Sequence, residues 1–377
     1  MTFGKNGLEN MRIKISIMTI LEKLSIIALM IFLSVVILEV GLRINGKIPT
    51  NIISGLLEQN GNSYRLKTNA KKDTKWPAFS YTVCTNSFGF RDSSIGEPDI
   101  DNNSYYVFLG ASEVFGNGVD YEETFVGIFD DFVSKHGIKA LNMAIGGHYI
   151  LDQDDLFKDF FSNTNGNIEK VFFCVNALHI PKFDRRNDHV TVKNGLLFEK
   201  NSWKMAYVKL MMGNLSAGYC FFRDNIRKLQ SKYFNFKPTE KSNEFLEIYS
   251  KSNRMHDISN VKRFEAYLDS FNDYCYKKNI TPIYVYTPIT DSYRLPDILS
   301  SIGADIKDYD TEYYERLMNS YCKRNQLQFI NLRPVLQPYY DQGIELRFKL
   351  DPHYNKFTNR ILGEYIIKQV FPKEKID

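Results

Sequence analysis

The sequence predicts an α/β protein of three layers around a five-stranded parallel sheet, plus one N-terminal transmembrane helix. Two observations predict it. From residue 105 onward short β-branched and aromatic runs alternate with amphipathic helical patterns, which is the signature of βαβ units with helices on both faces of a sheet. Near the N-terminus lies an apolar run with no charge in it.

That run, LSIIALMIFLSVVIL, covers 24–38, and its apolar character continues to Leu42, close to the roughly 20 residues that cross a hydrocarbon core. Only Glu39 interrupts it, near enough to the end to reach the interface. Lys5, Arg12, Lys14 and Lys23 precede it and favour a cytoplasmic N-terminus, which places the rest of the chain on the far side. ILEVGLRI offers no small-x-small cleavage site, so the run reads as a retained anchor over 24–42 behind a short cytoplasmic segment, 1–23. Residues 43–104, with NGNSYR and TNAKKDTKW, are polar and irregular and read as a stalk leading into the domain.

The domain itself is expected over 105–373. Strands are expected at 105–109, 139–145, 171–175, 282–286 and 328–332, each bounded by turn formers. Helices are expected at 123–134, where Phe125, Ile128, Phe129 and Phe132 share a face, and at 261–278, with Phe264, Leu268, Phe271 and Cys275. Two more follow at 313–324 and 359–369. A helical insertion at about 182–260 breaks the alternation; its Met- and aromatic-rich stretch, 205–232, is expected to complete the core, with a lid or partner-facing surface as the sharper alternative.

Composition narrows the function. Hydrophobic residues at 44% and charged residues at 24% suit a packed interior, and a net charge of +4 without a basic stripe gives no nucleic-acid surface. Five cysteines without a CxxC pair argue against structural zinc, and no metal or cofactor is expected. Cys174, Cys275 and Cys322 fall within apolar patterns and read as buried thiols.

Ligands of parallel sheets bind outside the carboxyl ends of the strands, so the residues just past each strand carry the chemistry. The first strand ends in Gly110-Ala111-Ser112-Glu113, a strand-to-helix turn; an N-cap serine is the ordinary explanation of such a turn. A nucleophile also needs a base and a group that orients it. Asp351-Pro352-His353 follows the last strand, and of six histidines only His353 stands beside an acid at that side of the sheet; His148, after Gly146-Gly147, is the competitor. Gly146, Gly147 and Asn176 lie past the second and third strands, where amide donors can meet an oxyanion.

Together these residues resemble the SGNH (GDSL-like) hydrolase superfamily. FLGASEVFGNGVDYEETF is similar to its first block, LNMAIGG to the second, the Asn176 segment to the third, and KLDPHYNKFTNRILGEYI to the last. TNSFGFRD, ending at Asp92, is similar to a segment that often precedes the first block in membrane-anchored members. Ala111 stands where the family usually has aspartate, Cys174 and Ala177 replace the glycine and aspartate around Asn176, and acid and histidine are two residues apart rather than three.

The resemblance implies a flavodoxin-like (SGNH) fold and a triad of Ser112, His353 and Asp351. Its oxyanion hole would be built from Gly147 or Gly146 and Asn176. The implied activity is that of an esterase or O-acyltransferase, acetyl in particular, on an extracytoplasmic glycan. The implied partners are an acylated glycan or small acyl ester and a membrane-bound O-acyltransferase. The second class of reading is a degenerate domain that binds glycan or scaffolds an acylation complex.

Overall fold

The computed structural model describes residues 5–44, 55–76, 79–97, 104–163, 167–201, 203–222, 225–226, 240–349 and 351–373. The chain divides into two compact units: Met1–Thr50 with Lys204–Lys237, and Asn51–Trp203 with Pro238–Asp377.

The larger unit is built on strand β6 (Ser104–Leu109), whose residues are buried on both faces from Tyr105 onward. The strands before it are β1 (Leu57–Asn60), β2 (Ser63–Leu66), β3 (Lys71–Trp76), β4 (Phe79–Thr85) and β5 (Arg91–Asp92). Those after it in the main sheet are β7 (Ile138–Asn142), β8 (Asn167–Val175), β11 (Thr281–Tyr286) and β12 (Gln328–Asn331), with β9 (Val190–Lys193) and β10 (Leu196–Glu199) intervening as a separate hairpin. Strand β6 pairs in parallel with β7 on one side and β8 on the other, and β11 and β12 extend the parallel sheet beyond β8. The five expected strands are thus present, pairing in the order β12-β11-β8-β6-β7.

Side chains decide this pairing. Phe108 and Phe172 stand opposite each other across β6 and β8, with rings stacked 4.3 Å apart. Phe129 of the helix Phe125–Ser134 meets both edge-on. Such aromatic pairs add about 0.5–1.5 kcal/mol each beyond the area they bury. Thr124 caps that helix by accepting from the Gly127 amide at 2.8 Å. On the opposite layer, Phe264, Leu268, Phe271 and Cys275 of the helix Ile258–Lys277 are all buried, as their spacing predicts.

Three expectations are corrected. The stretch read as a stalk over 43–104 is largely structured: β5, β4 and β3 join the sheet antiparallel next to β7, making it eight-stranded, while β1 and β2 form a hairpin. Part of that stretch, 45–54, lies outside the described residues. The insertion at 182–260 is not wholly helical, since it opens with the β9–β10 hairpin. Its Met- and aromatic-rich stretch does not bury the apolar residues expected of it: Met205, Val208, Met212, Leu215, Phe221 and Phe222 are exposed. The part of that stretch from 227 to 232 lies outside the described residues. All five cysteines are free, and Cys174, Cys275 and Cys322 are buried.

In the smaller unit, one helix runs Lys5–Ile44, longer than the expected span. Its part Glu22–Ile44 is long and apolar enough to cross a membrane, and most of its apolar side chains are exposed, Leu38 and Leu42 being half-buried.

One buried charge ties the antiparallel strands to the loop beyond β6. Arg91 is 1% exposed, and its guanidinium donates to the carbonyls of Phe115, Gly116 (2.7 Å) and Val119. Its carbon lies 4.7 Å from the Phe115 ring centroid and 5.5 Å from that of Tyr81. Burial lowers its pKa to about 10, so it stays charged at neutral pH. Arg91→Ala leaves the buried Phe115 and Val119 carbonyls without a donor, at about 1–3 kcal/mol each, while Gly116 keeps the Val119 amide. The expected outcome is a loss of about 2 kcal/mol or more in chemical denaturation of the full chain, with Lys at this position only partly restoring it.

Candidate active site

Three loops meet at the carboxyl ends of β6, β7 and β8, where the strand order reverses around β6. Gly110 and Ala111 lead from β6 into the short helix Ser112–Phe115. A Cβ on Gly110 would stand 2.2 Å from Val114 Cγ2, so only glycine lets the turn close on itself. Ala111, not Ser112, is the N-cap residue. The hydroxyl is therefore not spent on a cap. The buried Asn142 at the end of β7 ties down this turn by donating to the Val114 carbonyl at 3.0 Å.

His353 and Asp351 form a tight pair. Both lie on β14 (Asp351–Tyr354), which pairs with β13 (Arg347–Phe348) in a two-stranded ribbon beyond the five expected strands. His353 Nδ1–H donates to Asp351 Oδ1 at 2.5 Å, and the His353 backbone amide donates to the same oxygen at 3.0 Å. The loop after β11 steadies the pair from both sides: Thr290 donates to the Pro352 carbonyl at 2.7 Å, and Tyr354 donates to the Pro288 carbonyl at 2.5 Å. This arrangement keeps the Nδ1–H tautomer and leaves Nε2 as an acceptor.

Asn117 meets that acceptor. Its Nδ2 lies 3.3 Å from His353 Nε2, while its Oδ1 accepts from the Tyr81 hydroxyl of β4 at 3.4 Å. A Cβ on Gly146 would lie 3.7 Å from Ser112 Cβ and 3.8 Å from Asn117 Nδ2. Ser112, Gly146, Asn117 and His353 therefore share one neighbourhood. Ser112 and His353 are not bonded to each other: the serine hydroxyl donates to Glu113 Oε2 at 3.3 Å, and among the described residues that is its one hydrogen bond.

The oxyanion candidates differ. Gly146 lies beside Ser112, whereas Gly147, with φ +84°, lies against Tyr64, whose hydroxyl donates to the Gly146 carbonyl at 2.9 Å. Asn176 is buried, and its Oδ1 accepts from the amides of Leu178 (2.9 Å) and His179 (3.2 Å). Its NH2 end is thus the one left free to donate to a ligand. His148, the competing base, is buried against the Tyr64 carbonyl at 2.8 Å, and burial lowers its pKa to about 4. It is a structural histidine.

Sequence reading missed Glu113, Asn117, Tyr81 and Arg91 as contributors. Glu113 acts over distance. Burial works against protonating His353, but the Asp351 hydrogen bond, the Glu113 charge and the Asp351 charge outweigh it, so the pKa lies above 6.5. Burial likewise pushes the Asp351 carboxyl up, and the hydrogen bond and charge of His353 with the charge of Arg347 bring it below 3.8. Among the described residues no group of His, Cys, Asp and Glu has metal-ligand geometry.

The fold and site define an α/β protein with a serine and a histidine–aspartate pair at the carboxyl rim of a parallel sheet. No family model matches the chain, and no curated protein matches it in sequence. Its neighbours among solved structures are GDSL-type lipolytic proteins and acetyl xylan esterases. One is a member of the lipolytic protein G-D-S-L family from Veillonella parvula, at 11% identity and a TM-score of 0.40, covering 72% of this chain and 100% of that one. Another is the acetyl xylan esterase AlAXEase, at 14% identity and a TM-score of 0.38, covering 71% and 100%. A third, an acetyl xylan esterase from Geobacillus stearothermophilus, has 10% identity and a TM-score of 0.40, covering 72% and 97%.

A base works through a neutral Nε2, so activity should rise with pH through a His353 pKa above 6.5. Glu113→Gln removes a charge that favours the imidazolium. The rising limb of kcat/KM should therefore move to lower pH, measured on an acyl ester across pH 5 to 9. Asp351→Asn should move it the same way and also reduce kcat by about 10³- to 10⁴-fold, because the tautomer is no longer held.

Proposed function

We propose that the protein is a membrane-anchored serine acyl-ester hydrolase or O-acyltransferase that acts on an extracytoplasmic glycan. The observation that carries this reading is the Asp351–His353 pair, which keeps Nε2 an acceptor within 3.3 Å of an amide that, like Ser112, borders Gly146. Once the Asn117 amide gives up the single Nε2 lone pair, rotation of the serine hydroxyl from Glu113 toward the imidazole lets Nε2 take its proton while Oγ attacks an acyl carbonyl. The amides of Ser112 and of Gly146 or Gly147, with Asn176 Nδ2, receive the oxyanion; losing one such donor costs about 3–4 kcal/mol of barrier. The imidazolium hands that proton to the departing alcohol as its bond to the acyl carbon breaks. The acyl-enzyme then passes its group to water or to a sugar hydroxyl, whose proton goes to Nε2 and on to Ser112 Oγ.

Three further parts of the reading come from the chain's outline. The apolar helix Glu22–Ile44 serves as the anchor, and the preceding Lys5, Arg12, Lys14 and Lys23 favour an N-terminus in the cytoplasm. An acetyl group is the favoured acyl unit, since acetyl xylan esterases are among the proteins the chain resembles. A membrane-bound O-acyltransferase is the partner that would hand over the acyl group.

A second reading, a non-catalytic subunit that binds glycan, draws on one observation: the serine hydroxyl and Nε2 each bond another side chain, Glu113 and Asn117, instead of one another. A fluorophosphonate probe separates the two. Full-length protein in detergent should label at Ser112, and Ser112→Ala should lose both the label and at least about 10³-fold of acetyl-ester turnover. Absence of labelling with unchanged turnover in Ser112→Ala would rule for the binding subunit. Turnover with and without a glycan acceptor then distinguishes hydrolysis from transfer.

A further inference from the structure

The smaller unit holds more than the N-terminal helix. Between residues 203 and 222 the insertion forms the helix Trp203–Leu215 and a second helical stretch, 217–222. Met205, Val208, Met212 and Leu215 fall at i, i+3, i+7 and i+10, a single helical stripe. In a soluble helix that stripe faces a core. Here it faces outward: Met205 and Leu215 are each 64% exposed, and the stripe is followed by Phe221 and by Phe222, itself 54% exposed.

Two charges join these helices to the end of the apolar span. The Glu39 carboxylate accepts from the Ser216 hydroxyl and from the amides of Ala217 and Gly218, each at 2.9 Å. Arg43 pairs with Glu39 at 2.7 Å and donates to the Leu215 carbonyl at 2.6 Å. Glu39 stands five residues before Ile44, about 7 Å along the helix axis from its end. The outward stripe therefore starts where the span would leave the hydrocarbon. Residues 203–222 contain no acid, and their two lysines, Lys204 and Lys209, are exposed beside the stripe.

We infer that residues 203–222 are seated in the interface of the same bilayer that the N-terminal helix crosses. The stripe Met205, Val208, Met212 and Leu215, with Phe221 and Phe222, sits at the boundary of headgroups and acyl chains, and Lys204 and Lys209 reach anionic headgroups. Three observations favour lipid over a protein partner: continuity with the span through Glu39 and Arg43, apolar exposure on both the span and the stripe, and basic residues without acids. A carboxylate inside an apolar span is costly, and the insertion relieves that cost by wrapping Glu39 in hydrogen bonds.

The inference rests on the reading of the N-terminal helix as an anchor, and the test separates the two. Full-length protein in vesicles of phosphatidylcholine and phosphatidylglycerol is photolabelled by a phosphatidylglycerol carrying a diazirine on its acyl chain, and labelled peptides are mapped by mass spectrometry. Peptides from 22–44 and 203–222 should be labelled several-fold above 295–302, a helix of the larger unit that ends in the exposed Ile302. Met212→Glu with Leu215→Glu should reduce the label in 203–222 and leave that in 22–44 unchanged. Label in 22–44 with none above background in 203–222 overturns this inference alone; no label in 22–44 overturns the anchor and this inference with it. Label in 203–222 that appears in vesicles but not in native membranes assigns the face to a protein partner and also overturns it.

Discussion

Strand β6 pairs with β7 along one edge and β8 along the other, and the candidate site follows from that pairing. Parallel strands deliver their carboxyl ends to one side, and the chain leaves β7 and β8 in opposite directions from β6, which opens a crevice above it. Ser112, Gly146 and Asn176 each stand a few residues past one of these strands. None could meet the others through local structure, since more than 30 residues separate Ser112 from Gly146. The stacked rings of Phe108 and Phe172, with Phe129 over both, hold the register that brings the loops level.

A second layer of constraint comes from the antiparallel strands. Among the described residues Arg91 has no hydrogen bond to a carboxylate; its charge is dispersed over three loop carbonyls and two aromatic faces. A planar guanidinium can serve several acceptors at once, which a lysine ammonium in the same place cannot do with the same geometry. The loop it holds carries Asn117, and β4 supplies Tyr81 to orient the Asn117 amide. The imidazole is thus braced from Asp351 on one nitrogen and from the β4 wall on the other. Glu113 adds a charge that favours the protonated ring, so the serine and the base share one neighbouring carboxylate.

Charge compensation also organises the smaller unit. Glu39 and Arg43 are four residues apart on one helix and pair with each other, yet each also serves the insertion. The amides that Glu39 accepts from stand at the start of the 217–222 helical stretch, where unpaired N–H groups favour negative charge. The one acid within the apolar run thereby becomes an attachment point.

Much of this was legible in the chain because the relevant signals are local. Strands and helices announce themselves through the period of their apolar residues, as in Phe264, Leu268, Phe271 and Cys275. Ser112, Asp351 and His353 stand out through their turn settings. Lys71–Trp76 did not read as a strand, because KKDTKW lacks an apolar run and gains its place only by pairing with β4. Asn117, Tyr81 and Glu113 are ordinary residues until distance in space makes them neighbours of His353. The stripe from Met205 to Leu215 is the clearest case: periodicity determined that one helix face is apolar, but only the tertiary structure decided that this face is exposed. A sequence sets which surfaces must leave water, and the packing of distant segments selects what they meet.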